Sequence, residues 1–204
     1  MANKKLIVLI VCAGLALPSW AQEFSSRTFH KGWLVTDSQD TVRGDLKYDM
    51  ESNAVQIIVE KERVNTYSSK KILYFEIYDS ILKAYRQFYA IPYQVESNYK
   101  VPILFEVLYE GKISLLVREK IVITTDPYSQ AYFNGPSATS ERLSFTYYFV
   151  DTEGKMVMYN GKKNHLFEIL DKNSAKVKEY VKSNKLKTDE MRDIVRITAF
   201  YNSL

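Results

Sequence analysis

The sequence predicts an α+β protein that is mainly antiparallel β. We expect a sandwich or a partly closed barrel of eight or nine strands, with two or three C-terminal helices packed on it. Residues alternate with a period of two from Phe29 to Tyr159, turn residues separate the apolar runs, and the period changes to 3.6 after Gly161. The 204 residues, 46% hydrophobic and 25% charged, have an ordinary globular composition.

The first 21 residues are typical of a secretory signal peptide. Lys4 and Lys5 precede an apolar run over residues 6–17, and small residues stand at Ser19 and Ala21. The run is too short to span a bilayer core of about 30 Å as a helix. We therefore expect export, with cleavage after Ala21.

The single cysteine belongs to this leader. Cys12 follows Val11, which is too large for the residue that precedes a lipidated cysteine, so lipidation is not expected. The chain is divided into a signal peptide (1–21), an antiparallel β domain (22–161) and a helical C-terminal cap (162–204).

Strands are predicted where the alternation is regular and rich in aromatic and β-branched residues. The clearest runs cover residues 42–48, 73–77, 103–109, 113–117 and 143–149. In each run, every second side chain should face a core, and the positions between should face solvent. The charged residues assigned to outward positions are Arg43, Lys47, Glu76, Arg86 and Glu106.

Turn residues join these strands. Gly111 follows Glu110 between two apolar runs and indicates a tight hairpin, and Gly154 fits the left-handed position of a turn that begins at Asp151. The longest predicted loop covers residues 126–140. Because long loops often carry binding residues, the candidate ligand-binding residues are its aromatic side chains, Tyr128, Tyr132 and Phe133.

Short helices are predicted in the C-terminal cap from apolar stripes that follow capping residues. Asn164 and Ser174 are the expected caps of the first two, and Thr188 precedes the last. Ten basic residues oppose six acidic ones between Lys162 and Arg196. Charges of both signs along helices usually indicate a solvated face. In an exported protein, anionic headgroups or polysaccharide would be the partners that match this excess of positive charge.

The sequence shows no motif for catalysis or cofactor binding. It contains no glycine-rich phosphate loop and no G-x-S-x-G elbow, so no cofactor and no metal site are predicted. His165 and Glu168 have the i, i+3 spacing of two ligands, but no partner motif completes a site. His30 lies on the first predicted strand. Acid pairs such as Asp37 with Asp40 lie in turns, where Asp bonds the local backbone.

Tyrosine is the most unusual part of the composition, with 16 residues. Some must face outward because their alternating neighbours face inward. Outward tyrosines could line a glycan or peptide groove, since Tyr offers a flat apolar face with a polar tip, or they could form cross-strand pairs. The residues concerned are Tyr74, Tyr78, Tyr85, Tyr89, Tyr93, Tyr99, Tyr128, Tyr132, Tyr147 and Tyr148.

Several segments resemble a family of uncharacterised exported proteins of Gram-negative cell envelopes. They are residues 32–36, the D-T-x-x-G-x-L-x-Y pattern at 40–48, the hairpin at 105–116 and the helical ending at 164–202. The resemblance spans most of the chain after the leader. It implies an envelope location and a β-rich domain with a helical tail, and it implies no activity and no site residues.

These observations predict a non-enzymatic cell-envelope protein, periplasmic or associated with the outer membrane, that binds or supports a partner through exposed aromatics. An envelope protein or a surface glycan is the expected partner, with no nucleic acid and no transmembrane helix after the leader. The alternative is a glycan- or peptide-directed hydrolase whose carboxylate pair is assembled by the fold. A purely structural role would instead require a contiguous exposed apolar patch.

The exported protein is expected to begin at Gln22. Removal of Lys4 and Lys5 with the leader lowers the formal charge from +4 to +2. Intact-mass analysis of protein recovered from the periplasm of an exporting host checks this. Retention of Met1, or a lipid mass on Cys12, would contradict it.

Overall fold

The computed structural model describes residues 23–59, 63–96, 99–125 and 139–204. These ranges contain ten strands and three α-helices. The strands are β1 (His30–Thr36), β2 (Thr41–Asp49), β3 (Ala54–Val59), β4 (Arg63–Ser68), β5 (Ile72–Asp79), β6 (Ala84–Glu96), β7 (Tyr99–Tyr109), β8 (Ile113–Thr125), β9 (Thr139–Asp151) and β10 (Met156–Met158). The helices are α1 (Lys163–Ile169), α2 (Ser174–Ser183) and α3 (Met191–Asn202). Single 3-10 turns cover Ser25–Arg27, Ser69–Lys71 and Asp171–Asn173. The proposed signal peptide lies outside the described residues.

All the described strands form one antiparallel sheet in the order β10-β9-β8-β7-β6-β5-β1-β2-β3-β4. The predicted class, mainly antiparallel β followed by helices, is confirmed. The sheet is one open layer, and it has more strands than predicted because strands as short as the three residues of β10 leave no period-two pattern. In the turn before β10, Gly154 has the expected positive φ of 79°.

The inner face of the sheet carries two apolar clusters. Side chains of β1–β3 and β5–β7, with Met50 after β2, form the first, in which Phe75 and Phe88 stack with their ring centres 4.5 Å apart. The register carries the same face across to β8 and β9, where the helical cap covers it. The first cluster contains Leu34, Leu46, Tyr48, Met50, Val55, Ile57, Ile72, Phe75, Ile77, Phe88 and Leu104. The sheet residues of the second are Leu115, Val117, Tyr147 and Phe149.

The sheet curls strongly enough for distant strands to meet. β2 and β8 are five positions apart, or about 24 Å in a flat sheet. Nevertheless, Tyr48 Oη of β2 donates to Glu119 Oε1 of β8 at 2.6 Å. Two paired glycines, Gly32 and Gly44, lie on the inner face of β1 and β2. A Cβ on Gly32 would lie 2.1 Å from a carbonyl oxygen of β5, and one on Gly44 2.2 Å from a carbonyl oxygen of β3, so only glycine permits this close approach.

The helical cap docks on the sheet through α3. Asn202 Nδ2 donates to the carbonyl of Ile113 at 2.8 Å, and Asn202 Oδ1 accepts from the Ile113 N–H at 3.0 Å. The hairpin between β7 and β8 makes room for this contact with Gly111, where a Cβ would lie 2.5 Å from Asn202 Oδ1. The predicted Glu110-Gly111 turn therefore also serves the packing of the cap.

The helices begin elsewhere than the capping residues indicate. Asn160 Oδ1 accepts from the N–H of Lys162 at 2.9 Å, and α1 starts at Lys163, so Asn164 lies inside the helix and does not cap it. Ser174 is the first residue of α2 and makes no cap bond, and α3 starts after Glu190. Packing of the apolar stripes, which is stronger than any single cap, fixes these short helices.

A seam remains where β7 and β8 separate after Val117, beyond which β8 continues with β9 as a two-stranded ribbon. The turn between β2 and β3 fills this seam. Asn53 Oδ1 accepts from the N–H of Leu104 at 3.2 Å and from Arg118 Nη1 at 3.0 Å. Arg118 also donates to the carbonyls of Leu104, at 2.6 Å, and Met50. The side chains of Asn53 and Arg118 thus join the β2–β3 turn to β7 and β8 at a point that the β7–β8 ladder does not reach.

Removal of the seam acceptor should destabilise the protein. Asn53→Gly accepts the positive φ of 52° but leaves two partly buried N–H groups without their acceptor, so we expect the free energy of unfolding to fall by about 1–3 kcal/mol. Asn53→Asp keeps the acceptor oxygen, so its free energy of unfolding should fall by less. Urea unfolding measures both.

The matched control is Gln39→Gly, because Gln39 is exposed and also has a positive φ, of 69°. We expect its free energy of unfolding to stay within about 0.5 kcal/mol of the parent. Equal losses in Asn53→Gly and Asn53→Asp would show that the side-chain seam does not hold the strands.

Candidate functional site

An aromatic surface lies on the outer face of β1, β5 and β6. Tyr78 packs edge-on against Tyr85 with ring centres 5.1 Å apart, and Tyr74 stacks on Tyr89 at 5.3 Å. Trp33 meets Tyr74 edge-on at 5.3 Å. Tyr85 is 73% exposed and Tyr78 40%, while the other three are half-buried. Their alternating neighbours fill the inner core, which forces these rings outward.

Polar groups lie between the two tyrosine pairs. Gln87 Nε2 donates to Glu76 Oε2 at 2.9 Å, directly across β5 and β6. The pairs are four residues apart along β5, or about 13 Å. Partial burial raises the pKa of Tyr89, and nearby acids and Tyr74 add to the rise. Ring faces and hydrogen-bonding groups therefore alternate along one accessible strip.

The structure brings together only some of the aromatics singled out in the sequence. Tyr128, Tyr132 and Phe133, the candidate ligand-binding residues, lie outside the described residues. Tyr147 and Tyr148 are buried, at 7% and 8% exposure, on opposite faces of β9. The candidate site is thus the strip on β1, β5 and β6.

A buried ion cluster occupies the inner face between the two apolar clusters. Arg86 Nε and Nη2 donate to both oxygens of Glu106 at 2.8 and 2.6 Å. Arg86 Nη2 also donates to Glu119 at 3.0 Å, and Nη1 donates to Asp79 at 3.0 Å and to Tyr48 Oη at 2.6 Å. These five residues, Arg86, Asp79, Glu106, Glu119 and Tyr48, form what we term the Arg86 cluster.

The assignment of Arg86 and Glu106 to outward positions is wrong. Both face inward, at 6% and 7% exposure, while Tyr85 and Gln87 face outward. An outward position is the usual one for an isolated charged residue, because a lone charge is costly to bury. Mutual pairing and hydrogen bonding offset that cost, and Arg86 and Glu106 therefore lie on the inner face.

Burial and pairing set the protonation of the Arg86 cluster. Burial raises the pKa of Tyr48 well above its usual range, and the neighbouring carboxylates add to the rise against the charge of Arg86. Burial alone would lower the pKa of Arg86, but hydrogen bonding and the charge of Glu106 hold it above its usual range. Burial likewise opposes ionisation of Asp79, but hydrogen bonds from Ser25, a backbone N–H and Arg86 hold its pKa below its usual range.

The carboxylates of the cluster are committed to the guanidinium. The side chains of Asp79, Glu106 and Glu119 are only 0%, 9% and 5% exposed, and each accepts from Arg86. All five N–H groups of Arg86 have acceptors, so none is left for a ligand. Tyr48 and Glu119 also reach the wall of a cavity of about 440 Å³ beside the β2–β3 turn.

The two histidines have local partners. His30 is buried in β1, where Nδ1 accepts from the N–H of Ser80 at 3.2 Å and Nε2 donates to the carbonyl of Ser25 at 2.9 Å. His165 and Glu168 line a groove of about 750 Å³ beside α1. Over the described ranges, no three His, Cys, Asp or Glu side chains are arranged to hold a metal ion.

Comparison with protein-family models, curated proteins and solved structures finds no match to this chain. In the part of the chain that the structure describes, no helix is both long and apolar enough to cross a bilayer. The function has to be argued from the chemistry of the surfaces.

Sequence patterns missed two components of these sites. Trp33 joins the aromatic surface only through the pairing of β1 with β5, which is distant in sequence. The Arg86 cluster draws on five strands. The sequence offers only a local signal for the faces of β6, the alternation of Tyr85, Gln87 and Tyr89 with Arg86 and Phe88. This alternation allows either set of side chains to face inward.

Loss of the Tyr48 hydroxyl should destabilise the protein in a pH-dependent way. Tyr48→Phe leaves one N–H of Arg86 and one oxygen of Glu119 unpaired, so we expect a fall of about 2–3 kcal/mol in the free energy of unfolding at pH 7. The pKa of Tyr48 is raised on folding. The contribution of its hydroxyl to the free energy of unfolding is therefore complete below a pH of about 10 and declines progressively as the pH rises further.

The difference in free energy of unfolding between the parent and Tyr48→Phe should therefore narrow above a pH of about 10. Urea unfolding at neutral and alkaline pH measures it, with Tyr99→Phe, a change at a 59% exposed ring, as the control. A gap that is absent at pH 7, or constant across this range, would contradict the role given to the hydroxyl.

Proposed function

We propose that this protein is a non-enzymatic binding module of the cell envelope that holds a surface glycan on its aromatic surface. The observation that carries the proposal is the strip of ring faces at Trp33, Tyr74 and Tyr85 with hydrogen-bonding groups between them. The signal-peptide pattern supports an exported location, where polysaccharide is an available partner.

The chemistry of the strip favours a glycan over a protein partner. A sugar ring combines an apolar face of C–H groups with hydroxyl groups at its edge. Tyr and Trp rings match the first, and the carboxylate of Glu76 and the amide of Gln87 match the second. A protein-docking surface has a contiguous apolar centre with polar groups at the rim, whereas here polar groups separate the aromatic pairs.

The Arg86 cluster supports binding without catalysis. A glycosidase needs one carboxyl group that can protonate a leaving group and a second that reaches the sugar or a water molecule. Asp79, Glu106 and Glu119 instead share one guanidinium and are almost fully buried. A carboxylate held in this way supports the fold.

Binding can be followed through Trp33. If cleavage follows Ala21, Trp33 is the only tryptophan of the exported protein, because Trp20 leaves with the leader. We expect oligosaccharides of one type, among those of N-acetylglucosamine, glucose and mannose, to change its fluorescence in a saturable titration. Tyr85→Ala should weaken that binding about fivefold to tenfold.

Tyr99→Ala is the matched control, since Tyr99 is 59% exposed but pairs at the far end of β6. Its affinity should equal that of the parent protein. If no oligosaccharide changes the emission of Trp33, or if Tyr99→Ala weakens binding as much as Tyr85→Ala, the glycan proposal is wrong.

A further inference from the structure

A row of exposed lysines crosses the helical cap. It contains Lys163 at the start of α1, Lys178 and Lys182 on α2, and Lys185 just after α2. The ammonium groups of Lys163 and Lys178 lie 5.9 and 5.4 Å from the centre of the same ring, that of Phe167. This shared contact shows that the basic groups of the two helices converge.

Lys163 has an unfavourable place in its helix. It is the first residue of α1, beside Lys162 at the N-cap, and the first turn has no acidic residue. The positive end of a helix dipole lies at the N-terminus, where carboxylates are favoured and cations are not. Two cations at the N-terminus of α1 therefore destabilise this helix when no anionic partner is bound.

Lys178 and Lys182 also repel each other. They are four residues apart on α2, so their side chains are neighbours on the helix surface, and like charges at this spacing destabilise a helix. The helix dipole of α2 stabilises the charge of Lys182, which lies in the last turn, but it stabilises that of Lys178 only slightly. Glu179 is the single acidic residue within α2.

Lys185 occupies a backbone position that favours glycine. Its φ is 52°, and the helix ends with bonds from Lys185 N to the Lys182 carbonyl at 3.2 Å and from Leu186 N to the Val181 carbonyl at 3.0 Å. This is the pattern of a helix end in which glycine is the common residue at the left-handed position. Lysine there adds a charge to the row at a conformational cost.

The row has no acidic partner within the described part of the cap. Ion pairs there join Lys187 to Glu190 at 2.6 Å and Arg196 to Asp193 at 3.7 Å, and neither includes a member of the row. Three local rules are thus broken on one surface, and no ion pair among the described residues compensates for them. Such conflicts are expected where a surface meets a partner.

We infer that the lysine row docks the protein on an anionic phospholipid surface. The row runs along the exteriors of two helices and lines neither of the cavities described above, so it fits an extended flat partner. Its members are all lysines, which act as hydrated point charges, whereas bidentate recognition of a single phosphate favours arginine. Phe167 is only 7% exposed, so contact is electrostatic and involves no ring insertion. The aromatic surface shares no residue with the row, so this inference does not depend on the glycan proposal.

The test is cosedimentation of the exported protein with vesicles. We expect binding to phosphatidylcholine mixed with phosphatidylglycerol, none to phosphatidylcholine alone, and a decline with added NaCl. Each lysine near an anionic surface contributes about fivefold in affinity, so Lys178→Gln with Lys182→Gln should weaken binding about 25-fold. The control variant, Lys70→Gln with Lys100→Gln, removes the same charge from exposed positions outside the cap and should bind like the parent.

Stability separates loss of binding from loss of fold. Because the substitutions relieve repulsion, the urea midpoint of the cap variant should equal or exceed that of the parent. Equal weakening in both double variants would show that only net charge matters and would overturn the assignment. So would binding to polyphosphate without binding to phosphatidylglycerol vesicles.

Discussion

Arg86 lies between the two apolar clusters of the inner face, and its five N–H groups reach side chains from β2, β5, β7 and β8. The curl of the sheet depends on this contact, because it joins strands that are far apart in the sheet order. Without the guanidinium, three carboxyl groups would lie unpaired between apolar surfaces, at a cost of several kcal/mol. The cluster also selects the register. A one-residue slip of β6 or β7 would carry Arg86 or Glu106 to the outer face and leave its partners uncompensated.

Most of the secondary structure follows from local pattern. Leu115 and Val117 alternate with polar or outer-face residues, and the turn at Gly154 forms as its residues indicate. Local pattern does not determine which face of β6 is the inner one. Arg86 and Phe88 alternate with Tyr85 and Tyr89, and either set could face inward. The choice is made by Glu106 and Glu119, which are distant in sequence. A pattern confined to one strand carries no information about such partners.

The two proposed surfaces differ in how far sequence could define them. The charge of the cap is visible in composition, but the approach of Lys163 to Lys178 requires the packing of α1 against α2 around Phe167. Outward tyrosines are predictable from alternation. Trp33 joins them through the pairing of β1 with β5, in which its partner Glu76 lies 43 positions away in the sequence. One surface offers ring faces and hydrogen-bonding groups, and the other offers unpaired charge. The two proposals together describe a protein that holds a glycan while resting on a lipid surface.

The seam between β7 and β8 has a further consequence for the motions of the protein. The N–H of Leu104 is bonded to the side chain of Asn53, not to a carbonyl of a neighbouring strand. Rotation of one side chain is enough to release it, whereas the amides of the flanking ladders are freed only when strands part. Hydrogen exchange at Leu104 therefore reports the release of Asn53 from the seam, separately from the unfolding of the sheet.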